Sequence, residues 1–341
     1  MLQRSASAVA LGARAGAAET RRMVVLSYNG ECHTELNPAD ISEYIGRKDA
    51  FVWLDLQNPQ AADIQLLREE FHFHPLSIED ATKHHERPKL EAFENYYFMV
   101  FYELEYQQQS DRLITEPIGL FIGPNYIVSV HVDAIRSIDE TITRWQNHTA
   151  EFENDAGALL YALLDAVVDD YFPVIDQLAE RVEDLEEKIF AHFREDALQD
   201  VFRLKRDLLA VRRVVAPERD VLNVLIRREV PIFERNTILY LQDVYDHIVR
   251  ITDSIDTYRD LLSSALDAFL SLQSNQLNQV VKLLTITSII LMCNALVAGI
   301  YGMNFEFMPE LHWRYGYAWA LALMVAISAG LLWFFRRRRW L

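Results

Sequence analysis

The stretch from residue 280 to residue 304 reads VVKLLTITSIILMCNALVAGIYGMN. Up to Tyr301 its only charged side chain is Lys282, and half of the residues are leucine, isoleucine or valine. About 20 such residues allow a helix to cross the roughly 30 Å hydrocarbon core of a bilayer. The sequence therefore predicts a first membrane helix over residues 280–301.

A second apolar stretch occupies residues 315–335 and ends in a basic tail, Arg336-Arg337-Arg338-Arg339-Trp340-Leu341. Arginines that flank a membrane helix stay on the cytoplasmic side, so we expect the tail 336–341 in the cytoplasm. With two spans, the N-terminal part is then cytoplasmic as well, and the loop 302–314 faces outward.

The composition excludes some classes of partner. The chain of 341 residues has 33 basic and 50 acidic residues, which gives a net charge of −17. A nucleic-acid-binding protein needs a basic face, whereas an acidic protein attracts cations. The only cysteines, Cys32 and Cys293, cannot form a disulfide framework, which favours a reduced, cytoplasmic setting for the soluble part.

Before the membrane helices, the chain divides into three segments. Residues 1–22 are arginine- and alanine-rich, and fit either a disordered leader or a mitochondrial presequence. Residues 23–152 mix short apolar runs with helical patterns, which is typical of an α/β domain. Within it we predict strands at 23–28, 50–56, 96–104, 117–122 and 126–132, and helices at 38–46, 60–70, 76–83 and 133–147. Gly123-Pro124-Asn125 indicates a turn that joins the last two strands as a hairpin.

Residues 153–279 predict a bundle of long helices and a stalk. Neither glycine nor proline occurs from Arg235 to Ala298. At 1.5 Å per residue, this run of roughly 60 residues makes a helix about 90 Å long that continues into the membrane. A helix of this length needs partners along it, so we expect several copies of the chain to associate.

One stripe of the first membrane helix is mostly small or polar. Its spacing of three and four residues is that of a supercoiled bundle, and its members are Asn278, Val281, Thr285, Ser288, Met292, Ala295 and Gly299. In a membrane helix such residues face other helices or water. A water-filled pore and close helix packing fit the stripe equally well.

The loop after this helix begins Tyr301-Gly302-Met303-Asn304 and continues FEFMPEL to residue 311. Because Mg²⁺ gives up its water reluctantly, amide and carbonyl oxygens that touch its hydration shell suit it. A ring of Asn304 side chains, with the carbonyls of Gly302 and Met303, is such a site. Gly302 permits a tight turn, and Glu306 and Glu310 raise the local concentration of cations.

Other polar clusters carry less weight. Most of the nine acidic residues between Asp165 and Glu187 are interpreted as a solvated helix face. The histidines at positions 72, 74, 84 and 85 lack a cysteine or third ligand at a zinc-site interval. No phosphate-binding loop, nucleophile elbow or open catalytic metal site is recognised, so we do not predict an enzyme.

The run from Tyr301 to Leu311 resembles, throughout, the signature loop of the CorA family of magnesium and cobalt channels. The basic tail also resembles the end of that family. Three upstream segments are similar to it as well: residues 74–80 (HPLSIED), 87–89 (RPK) and 243–247 (DVYDH). The resemblance begins at about residue 24 and leaves the leader outside.

The resemblance implies an α+β membrane protein of the cell inner membrane that forms a homopentameric funnel. Each subunit has a cytoplasmic αβα domain, a long helical stalk and two C-terminal transmembrane helices. The first of these lines the pore, which narrows at Asn278, Leu284 and Met292, and Asn304 holds hydrated Mg²⁺. The expected partners are the other subunits, the bilayer and divalent cations: Mg²⁺ as transported ion and regulator, with Co²⁺ or Ni²⁺ as further substrates.

Asp80 and Asp243 match the metal-sensing pair that this family has at its subunit interface, with Glu79 and His247 as further ligands. Two carboxylates brought together repel each other, and a bound Mg²⁺ turns that repulsion into a bridge. High internal Mg²⁺ is therefore expected to hold the assembly closed.

The chain departs from the family at three pore-helix positions. Cys293 stands where a proline is frequent, Ala295 where a threonine is frequent, and Asn294 where an apolar residue is usual. The missing proline removes a source of a kink. Two alternatives stay open: a zinc transporter of the same fold, against which Met303 argues, and a membrane-anchored coiled-coil protein without a pore.

Overall fold

The computed structural model describes residues 21–28, 31–33, 38–45, 47–82, 87–107, 112–147, 155–191, 196–227, 233, 235–304, 308–338 and 340. They form two compact units that divide after Leu262. Residues 1–20, His84, His85 and Glu306 lie outside the described residues, whereas Arg21 and Arg22, predicted as the end of the disordered leader, form the start of the first strand. The segment borders given above remain predictions.

The first unit is built on a seven-stranded sheet with the order β2-β1-β3-β7-β6-β5-β4. Its strands are β1 Arg21–Tyr28, β2 Glu31–His33, β3 Ala50–Gln57, β4 Lys89–Ala92, β5 Tyr97–Gln107, β6 Arg112–Ile122 and β7 Tyr126–His131. Only β3 and β7 pair in parallel, and the other neighbours are antiparallel. The predicted hairpin is confirmed, with Ile122 opposite Ile127. The short strands β2 and β4 were not predicted.

The centre of the sheet is covered on both faces. Every residue of β7 is buried, and so is every residue of β3 before Gln57. In the sequence, a strand that is buried on both faces is a continuous run of apolar residues, without the alternation of apolar and polar residues seen in half-exposed strands. The shorter helices of the first unit are α1 Ala61–Glu69, α2 Pro75–Thr82, α3 Arg136–Asn147 and α4 Ala156–Asp169. α2 packs on β6 and β7, and α4 on β5 and β7.

A group of polar side chains is buried between β3 and β7. Ser129 Oγ donates to Asp55 at 2.5 Å and accepts from Trp53 Nε1 at 3.0 Å. His131 Nε2 lies 3.2 Å from the same carboxylate. Burial, the largest single effect, lowers the pKa of His131, but the hydrogen bond and charge of Asp55, together with the Asp133 carbonyl and the charge of Asp139, raise the pKa overall. Each of these groups has a partner, so they bind the two parallel strands together.

Four long helices follow: α5 Tyr171–Ala191, α6 Asp196–Arg227, α7 Arg235–Tyr301 and α8 Gly316–Arg337. α7 has 67 residues, a few more than predicted, and passes through both units. α7 and α8 are long and apolar enough to cross a membrane, and only 11% of the apolar window of each is buried. Core helices of a soluble protein would be mostly buried, so these helices expose their apolar side chains to something other than this chain.

Candidate pore loop and metal cluster

The predicted pore stripe lies on an uncovered face of α7. Its members are exposed, apart from the half-buried Thr285, whose hydroxyl donates to the Val281 carbonyl at 2.7 Å. Leu284 and Met292 are 62% and 69% exposed. Ile286 and Val297, on another face of the helix, are buried. The chain itself therefore leaves the stripe free to face water or other copies of α7.

The end of α7 forms the tight turn that the sequence predicted. The Gly302 N–H donates to the carbonyls of Ala298 at 2.9 Å and Gly299 at 3.2 Å. A Cβ at residue 302 would lie 3.1 Å from the Ala298 carbonyl oxygen, which is tighter than most side chains tolerate. Met303 and Asn304 follow with exposed side chains. The exposed Asn304 side chain thus lies just beyond the end of the uncovered stripe.

The remainder of the loop is partly described. Glu310 lies in a 3-10 turn, Pro309–His312, whose last residue has its ring Nδ1 3.2 Å from the Met308 carbonyl. At the start of α8, the ring of Trp313 lies 6.2 Å from that of Tyr315 and 6.4 Å from that of Trp319. Tryptophan and tyrosine favour the boundary between lipid and water, so this cluster suits the mouth of a membrane protein.

A second site lies in the first unit, where α4 meets α7. Asp155 caps α4 by accepting the Ala158 N–H at 2.6 Å. A Cβ at Gly157 would lie 2.5 Å from Thr237 Oγ1 of α7, so glycine is needed for the two helices to come this close. One turn farther along, the rings of Tyr161 and Tyr240 are 5.0 Å apart.

Farther along the same two helices, Asp165 and Asp169 of α4 lie beside His247 of α7. One ligand atom from each of the three lies within 4.8 Å of the others, and His247 Nδ1 is 3.9 Å from Asp169 Oδ1. We call these three residues the metal cluster. His247 Nδ1 is buried and has no hydrogen-bond partner among the described residues. A buried nitrogen without a partner, beside two carboxylates, fits a divalent cation.

Charge repulsion at the metal cluster supports the same interpretation. Burial raises the pKa of Asp165, and the neighbouring carboxylates of Asp169 and Asp243 raise it further. A bound cation would remove this repulsion. Imidazole nitrogen suits Ni²⁺ and Zn²⁺, while carboxylates suit Mg²⁺, so the donor set is compatible both with predicted ions and with the zinc alternative.

The four predicted regulatory residues, Asp80, Asp243, Glu79 and His247, do not all lie at one site within the chain. His247 belongs to the metal cluster and the exposed Asp243 acts on it electrostatically. Asp80 forms an ion pair with Lys89 at 2.6 Å within its own chain, and Glu79 is exposed. The pairing of Asp80 with Asp243 from a neighbouring subunit remains a prediction. Asp165 and Asp169, which the sequence pattern assigned to a solvated helix face, lie beside His247 and are candidate ligands that were not predicted.

Two buried carboxyl groups next to the metal cluster were also missed. Ser137 donates to Glu103 at 2.6 Å, and burial, with the nearby charge of Asp170, raises the pKa of Glu103 to about 8. Asp170 forms an ion pair with Arg136. Glu218, which is fully buried, accepts the Tyr102 N–H at 2.9 Å.

Tyr171 completes this arrangement. Its hydroxyl lies 2.5 Å from the Tyr102 carbonyl, to which it donates, and 3.1 Å from the Glu218 carboxyl. Burial raises the pKa of Glu218 well above its ordinary value, which favours the protonated carboxyl group. Pro117, which faces Tyr102 in the sheet, has no N–H to donate. Glu218 and Tyr171 therefore satisfy the backbone groups of Tyr102 from outside the sheet.

Comparison with known proteins places this geometry in a family. Residues 48–337 match the family described as CorA-like Mg²⁺ transporter protein. The chain is 36% identical to a cobalt/magnesium transport protein CorA of Thermotoga maritima over 323 residues, which cover 93% of this chain and 92% of that protein.

Solved structures agree on the fold. The complete CorA magnesium transporter of Methanocaldococcus jannaschii matches with a TM-score of 0.81 and 25% identity, covering 94% of this chain and 98% of that one. The ZntB cytoplasmic domain of Vibrio parahaemolyticus matches with a TM-score of 0.60 and 13% identity over 74% of this chain and 98% of its own, which concerns the fold alone. The expected α+β fold with two C-terminal membrane helices is thus confirmed. The chain is a membrane protein, and it belongs to the CorA family of divalent-cation transporters, which are not enzymes.

Proposed function

We propose that this chain is the subunit of a homopentameric channel that admits Mg²⁺, and also Co²⁺ or Ni²⁺, through the cell inner membrane. The observation that carries the proposal is the uncovered stripe of α7, which continues into the exposed residues Gly302, Met303 and Asn304. Copies of α7 around one axis enclose a polar path with this loop at its outer end. Amide oxygens there hold the ion through its hydration shell.

The membrane potential drives the ion inward. A doubly charged cation gains about 4.6 kcal/mol for each 100 mV of inside-negative potential, because one charge gains about 2.3. The basic tail places the C-terminus, and with two spans also the N-terminus, in the cytoplasm. The −17 charge of each subunit favours cations that enter.

Internal Mg²⁺ closes the channel through the first unit. The metal cluster of Asp165, Asp169 and His247, together with Asp243, holds a cation that relieves their repulsion. Asp80 and Glu79 of a neighbouring subunit complete the site, as the family resemblance implies. When internal Mg²⁺ falls, the repulsion returns and the subunits separate.

The test of transport is flux into liposomes that contain the purified protein and an enclosed Mg²⁺ indicator. An imposed inside-negative potential should accelerate uptake by the wild type. Asn304→Ala should lower uptake at least about tenfold, because a lost hydrogen bond to a charged ligand costs roughly 1.5–3 kcal/mol. Asn236→Ala, an exposed asparagine near the start of α7, is the matched control and should transport normally. Absence of wild-type flux would favour the coiled-coil alternative.

The same liposomes distinguish the ions. Uptake of Zn²⁺ faster than that of Mg²⁺ would establish the zinc alternative in place of this proposal. The mass of the complex in mild detergent should be five times the subunit mass of 39.6 kDa. A monomer would contradict the pore.

Regulation is tested by protease digestion with and without Mg²⁺. Mg²⁺ should protect the wild type, and protection should weaken in His247→Ala, Asp165→Asn, Asp243→Lys and Asp80→Lys. Asp253→Asn changes an exposed acid of α7 outside the metal cluster and should leave protection intact. Protection that is unchanged in all four variants would refute the assignment of the regulatory site, without bearing on transport.

A further inference from the structure

The two membrane helices are joined by a polar contact that the family resemblance does not explain. Asn294 of α7 donates through Nδ2 to Ser328 Oγ of α8 at 3.0 Å. The Ser328 hydroxyl donates in turn to the Met324 carbonyl of its own helix at 2.8 Å. Both side chains are half-buried, whereas Leu291 and Leu296 beside Asn294 expose about two thirds of their surface. The pair is thus a polar contact inside an apolar surface.

Asn294 points away from the pore stripe. It follows Met292 by two residues and precedes Ala295 by one, and each residue turns an α-helix by about 100°. The buried Val297, one turn later, shares its covered side. A rotation of α7 that changes which side chains face the pore must therefore either break the contact with Ser328 or carry α8 with it.

The contact leaves one polar atom unsatisfied. Asn294 Oδ1 is buried and has no hydrogen-bond partner among the described residues. An unpaired amide oxygen is costly in an apolar medium, so the observed geometry satisfies only part of the pair. A different relative position of the two helices that gives this oxygen a donor would compete with the observed one, and such a pair can bias two discrete positions of neighbouring helices.

We propose that Asn294 and Ser328 are positioning residues that couple α8 to the movement of α7 during opening and closing. The inference rests on the proposed function, in which α7 lines the pore and internal Mg²⁺ closes it. Neither side chain touches the transported ion. Their role is to make the outer membrane helix follow the inner one.

The experiment is a double-mutant cycle with Asn294→Leu, Ser328→Ala and the combined variant, in the liposome assay. It measures two quantities, the maximal flux at low internal Mg²⁺ and the internal Mg²⁺ concentration that halves the flux. Each single variant should shift the half-inhibiting concentration by about threefold or more, the size expected for one hydrogen bond between membrane helices. The combined variant should shift it no further, because either change already removes the contact.

Two further variants separate coupling from general damage. Ser328→Thr keeps the hydroxyl and should retain the wild-type inhibition curve. Thr287→Val removes an exposed hydroxyl of α7 that donates to the Leu283 carbonyl at 2.9 Å, and should also leave the curve unchanged. Three outcomes would refute the coupling alone, provided that the wild type shows normal flux. They are single variants with an unshifted half-inhibiting concentration, additive shifts in the combined variant, and an equal shift in Thr287→Val. A wild type without flux would refute the proposed function and the coupling with it.

Discussion

The sheet of the first unit and the helices of the second handle polar and apolar groups in opposite ways. In the sheet, Trp53 and Phe121 are buried, and Asp55 is buried with its hydrogen-bond partners beside it. In α7 from Leu270 onward the leucines are exposed, and the polar pair Asn294–Ser328 lies between α7 and α8. The sheet therefore buries its apolar side chains within one chain. The membrane helices leave most of theirs exposed, as expected of helices surrounded by lipid.

The largest effect is expected from truncating a large apolar side chain in each unit. Phe121→Ala should lower the free energy of unfolding of the first unit by about 3–5 kcal/mol, because it leaves a cavity beside the stacked Phe73 ring, 4.2 Å away. Leu296→Ala, at a residue that is 65% exposed, should leave that unfolding unchanged. Tryptophan fluorescence during denaturation in detergent measures both. Equal losses would show that the two units do not differ as described.

A smaller loss is expected from the polar interior of the first unit. Glu218→Ala should cost about 1–3 kcal/mol of unfolding free energy, because it leaves the buried Tyr102 N–H without an acceptor. Glu218→Gln keeps an acceptor and should cost less. Glu187→Ala, at an exposed acid of α5, is the control and should be neutral. A glutamine variant as unstable as the alanine variant would contradict the role of Glu218 as the acceptor for the Tyr102 N–H.

The smallest effect is a pH dependence. The folded-state pKa of Glu103 is about 8, above the ordinary 4.5, so the folded protein keeps a proton that the unfolded chain releases. Its contribution to stability is therefore full below about pH 4.5 and declines until about pH 8. Between pH 7 and pH 8 the wild type should lose about 1 kcal/mol more than Glu103→Gln. Glu105→Gln, at an exposed neighbour, should follow the wild-type curve, and a wild-type slope in Glu103→Gln would contradict the assignment.

Local pattern was enough for much of the fold. The strands β3 and β7, the turn at Gly123 and the unbroken helix from Arg235 follow directly from apolar runs, turn residues and the absence of glycine and proline. The strands β2 and β4 have only three and four residues, and the alternation in β4 (KLEA) is too short to distinguish a strand from a loop. They exist because a neighbouring strand offers its free edge.

The metal cluster was predictable only at one of its three residues. His247 was recognised by resemblance, as was the neighbouring Asp243, but Asp165 and Asp169 looked like ordinary surface acids. The available signal was that Asp165 and Asp169 are four residues apart, as are Asp243 and His247, so that each pair shares one helical face. That the two faces meet depends on the close approach of α4 and α7 at Gly157. The buried positions of Glu103 and Glu218 likewise depend on tertiary packing, which residue type does not reveal.

Three consecutive residues at the junction of α4 and α5 have three unrelated sets of neighbours. Asp169 belongs to the metal cluster, Asp170 pairs with Arg136, and Tyr171 donates to Tyr102 beside Glu218. One inserted residue would turn all that follows by about 100° around the helix axis and detach at least one set. The length of this junction is thus more constrained than its composition, and evolution can exchange side chains here more readily than it can add or delete a position.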